Sequence, residues 1–424
     1  MSAGAWPARG PSGGQYSLAR AFLGLYLALH FAELVVWSAE LFGAHGMVAD
    51  WSSPFFRLVP NLFALSSAPL FVQSVCVVAV LLALLLALGT WDRLAALALA
   101  WIWASAIGRN PLISNPGLPY VGWILCAHAL APGKPYGSLA ARGRIDPGEG
   151  WHYPRLLFLG AWGLLAAGYT LSGLDKLFTS PHWRDGSAMR LVLENPLARP
   201  TALREFLLGL PPELLTCLCY GALAAEILFA PLVLFRRTRP WAWLALLAMH
   251  LSLLVLLDFM DLTLGMIVIH LFTFDPAWLP AGRPGGQAAS AEHEFVFYDG
   301  HCGLCHGFVR FVLAEDERGL FRFSPLQGEH IATLLDVERR AALPDSVAVL
   351  RGDGIVLTKS AAIAHLLARL GGPWRVCSFA LRALPRPLRD FGYERVAALR
   401  KRLFARPAEA CPLLPARLRG RFVA

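Results

Sequence analysis

The first two thirds of the chain carry long apolar runs broken by short polar stretches. Residues 16–42, 69–88, 94–107, 118–131, 155–174, 214–235, 241–257 and 262–274 read as about eight membrane-crossing helices. Several are shorter than the roughly 20 residues that span hydrocarbon unaided. After residue 280 the pattern changes. EFVFYDG (294–300) is a short aromatic and β-branched run that predicts a buried strand. GFVRFVLAEDE (307–317) follows with Phe308, Phe311, Val312 and Ala314 at helical spacing. Strands at 321–324, 347–350 and 355–358 and helices at 329–335 and 361–370 complete the order. Asp353-Gly354 is a hairpin turn signal, and Ser360 stands where it can cap the last helix. The expected architecture is a polytopic α-helical membrane domain (16–280), a linker (281–292) and an α/β thioredoxin-like domain (293–424). Residues 1–15, rich in Gly, Pro, Ser and Ala, read as a disordered start.

Composition supports this division. Of 424 residues, 56% are hydrophobic and 16% charged. A soluble globular domain carries roughly 25% charged residues. The net charge of +9 raises nucleic acid as a partner. Basic loops facing anionic lipid account for it more simply, so membrane lipid is the expected partner and nucleic acid is not. Short-loop Arg and Lys residues favour one side of the first and last spans. They put both termini in the cytoplasm and the protein in the bacterial cytoplasmic membrane.

The strand-to-helix junction carries the chemistry. Cys302 falls just before the helix and Cys305 in its first turn. Free backbone N–H groups and the helix dipole there favour thiolate, the form that attacks a disulfide. Cys302 is the expected nucleophile and Cys305 the resolving thiol, acting on an unidentified disulfide-containing protein or small thiol. Half of a zinc site is the alternative, with Cys377, Cys411 or a distant His completing it. Asp299 and Ser360 are candidate supporting residues. Pro344 precedes the third strand, near where thioredoxins place a cis-proline opposite the sulfurs, and is either that residue or an ordinary turn proline. The arginine-rich tail from Arg375 reads as a solvated helix packed on the domain or as a membrane-surface helix.

YDGHCGLC (298–305), FRFSPLQG (321–328), DSVAVL (345–350), LTKSAAIAHLL (357–367) and FGYERVAALRKRLF (391–404), in that order, resemble the DCC family of thioredoxin-like thiol-disulfide oxidoreductases. The resemblance implies the fold and a redox role for the cysteine pair.

Ionisable groups inside the apolar runs are costly and default to functional candidates. His30 and Glu33 lie three apart on the first span, hence on one helix face. His128, Glu226, His250, Asp258 and His270 recur on later spans. They read as a polar cavity, a metal site or buried hydrogen-bonded pairs. LSGLDKLFTSPHWRDGSAM (171–189) and IHLFTFDPAWLP (269–280) resemble the HTTM domain, the membrane region shared with vitamin K-dependent γ-carboxylases. Gly173, Lys176 and Leu177 match the segment that supplies the carboxylases' proposed base. The resemblance implies Lys176 as a base and a quinone or isoprenoid lipid as ligand, with Trp183 and Arg184 close to it. A snorkelling lysine at a helix end is the plainer reading. Asn115-Pro116 stands where the carboxylases carry Asn-His, a departure that counts against carboxylation or epoxidation. Three functions remain: a membrane thiol-disulfide oxidoreductase, a quinol-dependent carboxylase-like or epoxidase-like enzyme, and a non-catalytic membrane protein with a redox-sensing domain.

Overall fold

The computed structural model describes residues 6–48, 60–280, 282, 293–343, 347–403 and 415–423. The helical part runs through α1 (Gly13–Phe42), α2 (Pro69–Leu88), α3 (Asp92–Arg109), α4 (Leu118–Leu130) and α5 (Arg155–Thr179). Short helices α6 (Pro181–Asp185), α7 (Ala188–Glu194) and α8 (Ala202–Leu208) form a side excursion. Then come α9 (Pro212–Ile227), α10 (Phe229–Leu234), α11 (Arg239–Leu256) and α12 (Met260–Thr273).

Among the described residues four helices, α1, α2, α5 and α11, are long and apolar enough to cross a membrane, or five if the bent pair α8 and α9 counts as one. The expected figure of about eight is therefore not reached on length and apolarity. The reason is physical. Helix α4 has 13 residues. Helix α12 has 14 residues. Each gives about 20 Å of helix against about 30 Å of hydrocarbon. The expected run 214–235 is divided, with α9 ending at Ile227 and α10 starting at Phe229.

Close packing comes from small residues. A Cβ on Gly24 of α1 would lie 2.5 Å from the Ala87 nitrogen and 2.7 Å from the Ala83 oxygen of α2. The two backbones therefore touch there, as small residues allow in helix pairs. Gly89 follows α2 at φ 70°. That is a left-handed conformation, which favours glycine. Arg20 of α1 is buried and donates to the Leu86 and Ala87 carbonyls at this helix end, where the last carbonyls have lost their intrahelical partners or share a cap N–H. Arg239 likewise donates to the Val233 carbonyl (2.7 Å), and its guanidinium lies 3.5 Å from the centre of the Trp6 ring. These two arginines close helix ends rather than standing free in loops.

Residues 6–12 are ordered, contrary to the composition-based reading. Trp6 packs on Trp162 with ring centroids 5.4 Å apart, Arg155 donates to the Pro7 carbonyl (3.0 Å), and Ser12 caps α1 through Gln15 N–H. Aromatic anchoring outweighs a glycine- and proline-rich composition.

The C-terminal part holds β1 (Glu294–Tyr298), α13 (Gly303–Glu315), β2 (Phe321–Pro325), α14 (Ile331–Leu334), α15 (Val337–Ala341), β3 (Ala348–Leu350) and β4 (Val356–Thr358). Helices α16 (Lys359–Leu370), α17 (Gly372–Ala383), α18 (Arg386–Leu403) and α19 (Ala416–Arg419) follow. The sheet order is β2-β1-β3-β4, with β1 parallel to β2 and antiparallel to β3, and β3 antiparallel to β4. Val296, Tyr298, Phe321, Phe323 and Val349 form one buried face against α13 and α16, while Phe297 and Ala348 face Ile331 and Leu335 on the other. The chain end pairs with β2: Phe323 N–H donates to the Arg421 carbonyl (2.8 Å) and Val423 N–H to the Phe323 carbonyl (2.9 Å). That pairing covers the sheet edge.

Both ends of the helical part meet this domain. Glu315 at the end of α13 accepts from Ser12 Oγ (2.6 Å) and Gly14 N–H (3.0 Å) at the start of α1. Gly372 N–H donates to the Leu279 carbonyl beyond α12 (2.8 Å).

Candidate active site

β1 delivers the chain to Asp299, a tight turn follows, and α13 begins at Gly303 with Cys302 as its N-cap residue in extended conformation (φ −116°, ψ 116°). Cys302 N–H donates to the Asp299 carbonyl (3.2 Å), and Cys305 lies in the first helical turn. The Cys302 sulfur is thus at a helix N-terminus, where unpaired N–H groups and the dipole favour negative charge. Both thiols are free and 4% exposed.

The turn is fixed by its own polar groups. Asp299 Oδ1 accepts from His301 N–H (2.9 Å) and Gln327 Nε2 (3.3 Å), and Gln327 Oε1 accepts from Gly300 N–H (3.1 Å). The His306 ring donates through Nε2 to the Gly300 carbonyl (2.9 Å). From α18, buried Arg400 reaches Asp299 Oδ2 (3.4 Å) and the Cys305 Sγ (4.0 Å). Burial pushes the Cys305 thiol up to about 12, its hydrogen bond and charge interaction with Cys302 push the same way, and Arg400 pulls it down. Among the described residues no group of three His, Cys, Asp or Glu side chains could hold a metal ion.

The remaining candidates fall in different places. Ser360 does not cap α16: Thr358 is the N-cap residue, and Ser360, one residue inside the helix, donates instead to the Asp390 carboxylate of α18. That pins the helix carrying Arg400. Pro344 and Cys411 lie outside the described residues. His30 and Glu33 part company: His30 is buried and pairs with Asp261 (2.8 Å), while Glu33 is exposed.

Lys176 forms an ion pair with Glu226 of α9, at 2.5 and 2.6 Å to the two carboxylate oxygens, and its ammonium lies 4.9 Å from the centre of the Trp183 ring. Arg184 is exposed, and its carbonyl accepts from Tyr220 OH (2.9 Å). Tyr169, His250 and His270 form a buried triangle with each pair of ring centroids 5.9 Å apart. His128 bonds Tyr16 (2.6 Å), and Asp258 bonds Arg199 (3.0 Å). Arg155 opens α5 and meets Pro7 there. Lys176 lies about 32 Å further along the same helix. The helical body separates it from the cysteine pair.

Arg400 and Gln327 carry no local sequence signal of a place in the site. His306 is legible only as a neighbour of the motif. Gln327 lies in the FRFSPLQG stretch and Arg400 in the FGYERVAALRKRLF stretch, but neither carries a local mark of its role.

A paired-cysteine turn between a strand and a helix, backed by a buried Asp and Arg, defines the class of a thiol-disulfide oxidoreductase domain. Residues 296–406 match the DCC1-like thiol-disulfide oxidoreductase family. The chain is 36% identical over 132 residues to the uncharacterized protein YuxK of Bacillus subtilis (strain 168), covering 30% of this chain and 92% of that protein. It is 35% identical over 118 residues to a chloroplastic DCC family protein of Arabidopsis thaliana, covering 28% of this chain and 68% of that protein. Through this domain the chain belongs to the DCC family. No solved structure matches the chain. The family match starts after α12, so it leaves the helical part outside it.

Proposed function

We propose that the chain is an integral membrane thiol-disulfide oxidoreductase with a thioredoxin-like catalytic domain. Cys302 attacks the disulfide of a protein or small thiol compound and Cys305 resolves the mixed disulfide. The observation that carries this reading is Cys302 as the N-cap residue of α13 with Cys305 one turn on. The test is a redox titration of the whole chain in detergent, counting free thiols by mass shift after alkylation. One two-electron transition on the peptide holding Cys302 and Cys305 is expected, with about 30 mV per tenfold change in the couple's ratio. Two thiols that stay reduced at every potential defeat the reading.

In the same reading the helical part, HTTM-like, crosses the bacterial cytoplasmic membrane eight times and keeps the catalytic domain in the cytoplasm. The even number is supported by the contacts of both the start of α1 and the end of α12 with that domain. The helical part would hold a quinone or isoprenoid lipid beside Lys176, Trp183 and Arg184. The Lys176–Glu226 pair makes this testable. Lys176→Met leaves the Glu226 side chain, 6% exposed, without its cation. Breaking a buried pair costs about 3–5 kcal/mol, so the melting temperature falls. Adding Glu226→Gln restores the melting temperature. If the pair serves a ligand, the double variant regains stability but not the parent's copurifying quinone and lipid profile. Recovery of both would make the pair structural only.

A further inference from the structure

The resolving thiol sits in an environment that opposes its ionisation. Cys305 must become a thiolate to attack Cys302, yet it is 4% exposed in an apolar cluster with Val309, Phe323 and Leu418. Burial disfavours that charge. Among the described residues a buried cation faces it: the Arg400 guanidinium, 4.0 Å from Cys305 Sγ and 3.4 Å from the Asp299 carboxylate. Among the described residues the other titratable groups around the pair are Cys302, Tyr298, His301 and His306; Tyr298 is buried in the same cluster, and the His306 ring donates to the Gly300 carbonyl. Arg400 comes from α18, which is tied to the domain by Ser360 to Asp390, by Lys359 to Glu394 (2.5 Å), and by Tyr393 OH accepting from Val347 N–H (3.2 Å).

Resting on the redox reading, we propose that Arg400 is a catalytic residue of the resolving step, holding the negative charge on Cys305 as it attacks the mixed disulfide. The atoms balance as follows. Cys302 thiolate attacks a disulfide RS–SR′, forming Cys302–SR and releasing R′S⁻. Cys305 gives its proton to R′S⁻, and its thiolate, paired with Arg400, attacks Cys302 Sγ. The Cys302–SR bond breaks, the Cys302–Cys305 disulfide forms, and RS⁻ leaves. The enzyme dithiol loses two electrons and the substrate disulfide gains them. Asp299 is the positioning residue: it orients Arg400 through one carboxylate oxygen and the turn through the other. A charged guanidinium at this distance matters because burial lowers the local dielectric and limits screening by solvent and salt.

The experiment uses the full-length chain in detergent with glutathione disulfide as probe. Acid quenching and mass spectrometry follow the glutathione adduct on Cys302 from pH 6 to 10. In the parent the adduct is transient. In Arg400→Gln and Arg400→Met it persists at least tenfold longer near neutrality, and the pH at which resolution reaches half its maximal rate moves up by a unit or more. Arg400→Lys keeps a cation and recovers most of the rate. Two neutral variants are used because one retains a polar contact to Asp299 and the other the apolar packing, so one misfolded variant leaves the other to decide. Resolution within twofold of the parent in a folded neutral variant, with the same pH midpoint, overturns the proposal. So does a folded Arg400→Lys as slow as the neutral variants, since the effect would then be shape and not charge. A parent that forms no adduct is a separate result: it removes the redox reading itself, and this proposal with it.

Discussion

Cys302→Ser abolishes reduction of a disulfide probe, a loss of at least about 10³-fold, while Cys305→Ser stops at a stable mixed disulfide on Cys302. A serine hydroxyl at the N-cap of α13 meets the same backbone N–H groups but does not ionise near neutrality, so the helix terminus has no anion to stabilise. The two variants part because the two sulfurs occupy different positions. Cys302 is at the helix terminus, whereas Cys305 is a turn further in, with its thiol pushed up to about 12 by burial. A thiol held that high is protonated at neutral pH and is a poor first attacker. It acts as the second attacker, when its partner sulfur is already in a disulfide: the Cys302 contribution is then gone, burial still opposes the thiolate, and the Arg400 charge offsets it. Trapping with glutathione disulfide and peptide mapping decides the matter. An adduct on Cys305 in the Cys302→Ser variant, formed as fast as the parent's on Cys302, would reverse the assignment. Cys126, Cys217 and Cys377 are free and exposed, so their adducts must be mapped apart.

How much of this is legible in the sequence depends on how far apart the interacting residues lie. The Cys-x-x-Cys turn is readable because strand, turn and helix are contiguous and each has its own periodicity. The apolar helices are readable for the same reason, and their ends match within a few residues: expected 69–88 is α2, and expected 155–174 is α5, which runs on to Thr179. What fails is pairing across the chain. Arg400 and Cys305 are far apart in sequence, and only the docking of α18 on α16 brings them together. Arg20 and Arg239 lie near the edges of apolar runs, where the sequence suggests free loop charge, yet in the fold both are buried against carbonyls at helix ends. That weakens a topology argument based on free loop charge, and the shared docking of α1 and α12 on one domain replaces it as support. Residues 6–12 mislead through composition, because Trp6 supplies an anchor that the surrounding Gly and Pro conceal. The arginine-rich tail is readable as helix, but not the side it shows. In α18 Leu388, Phe391, Val396 and Leu399 are exposed while Arg400 is buried, the reverse of what a simple solvated face requires.

Glu315→Ala releases the C-terminal domain from the helical part. Glu315 is the last residue of α13 and is 7% exposed. Its carboxylate accepts from Ser12 Oγ (2.6 Å), Gly14 N–H (3.0 Å) and Trp374 Nε1 (2.8 Å). It thus caps α1 from another domain, placing an acidic group at the positive end of that helix. Helix α13 starts at the cysteine pair and ends against the first helix of the helical part. The two ends are about 18 Å apart at the rise of an α-helix. Alanine removes three acceptor contacts and leaves the Gly14 N–H, the Ser12 hydroxyl and the Trp374 indole to find water, a cost of about 3 kcal/mol. Thermal unfolding followed by Trp fluorescence should split into two transitions, and amide exchange at Gly14 should rise on the order of 100-fold. The pH dependence has a definite sign. Burial raises the Glu315 carboxyl above its ordinary value, partly offset by its hydrogen bonds to Ser12, Trp374 and Gly14. The docked state therefore holds its proton to higher pH than the undocked state, so docking is strongest below the free carboxyl's value of about 4.3 and weakens as pH rises through the docked one. Glu315→Gln, which keeps one acceptor and cannot ionise, should dock with no such dependence. An unsplit transition and unchanged exchange at Gly14 in Glu315→Ala would show that other contacts, such as Gly372 to Leu279 and Arg375 to the Pro280 carbonyl (2.5 Å), suffice to hold the two parts together.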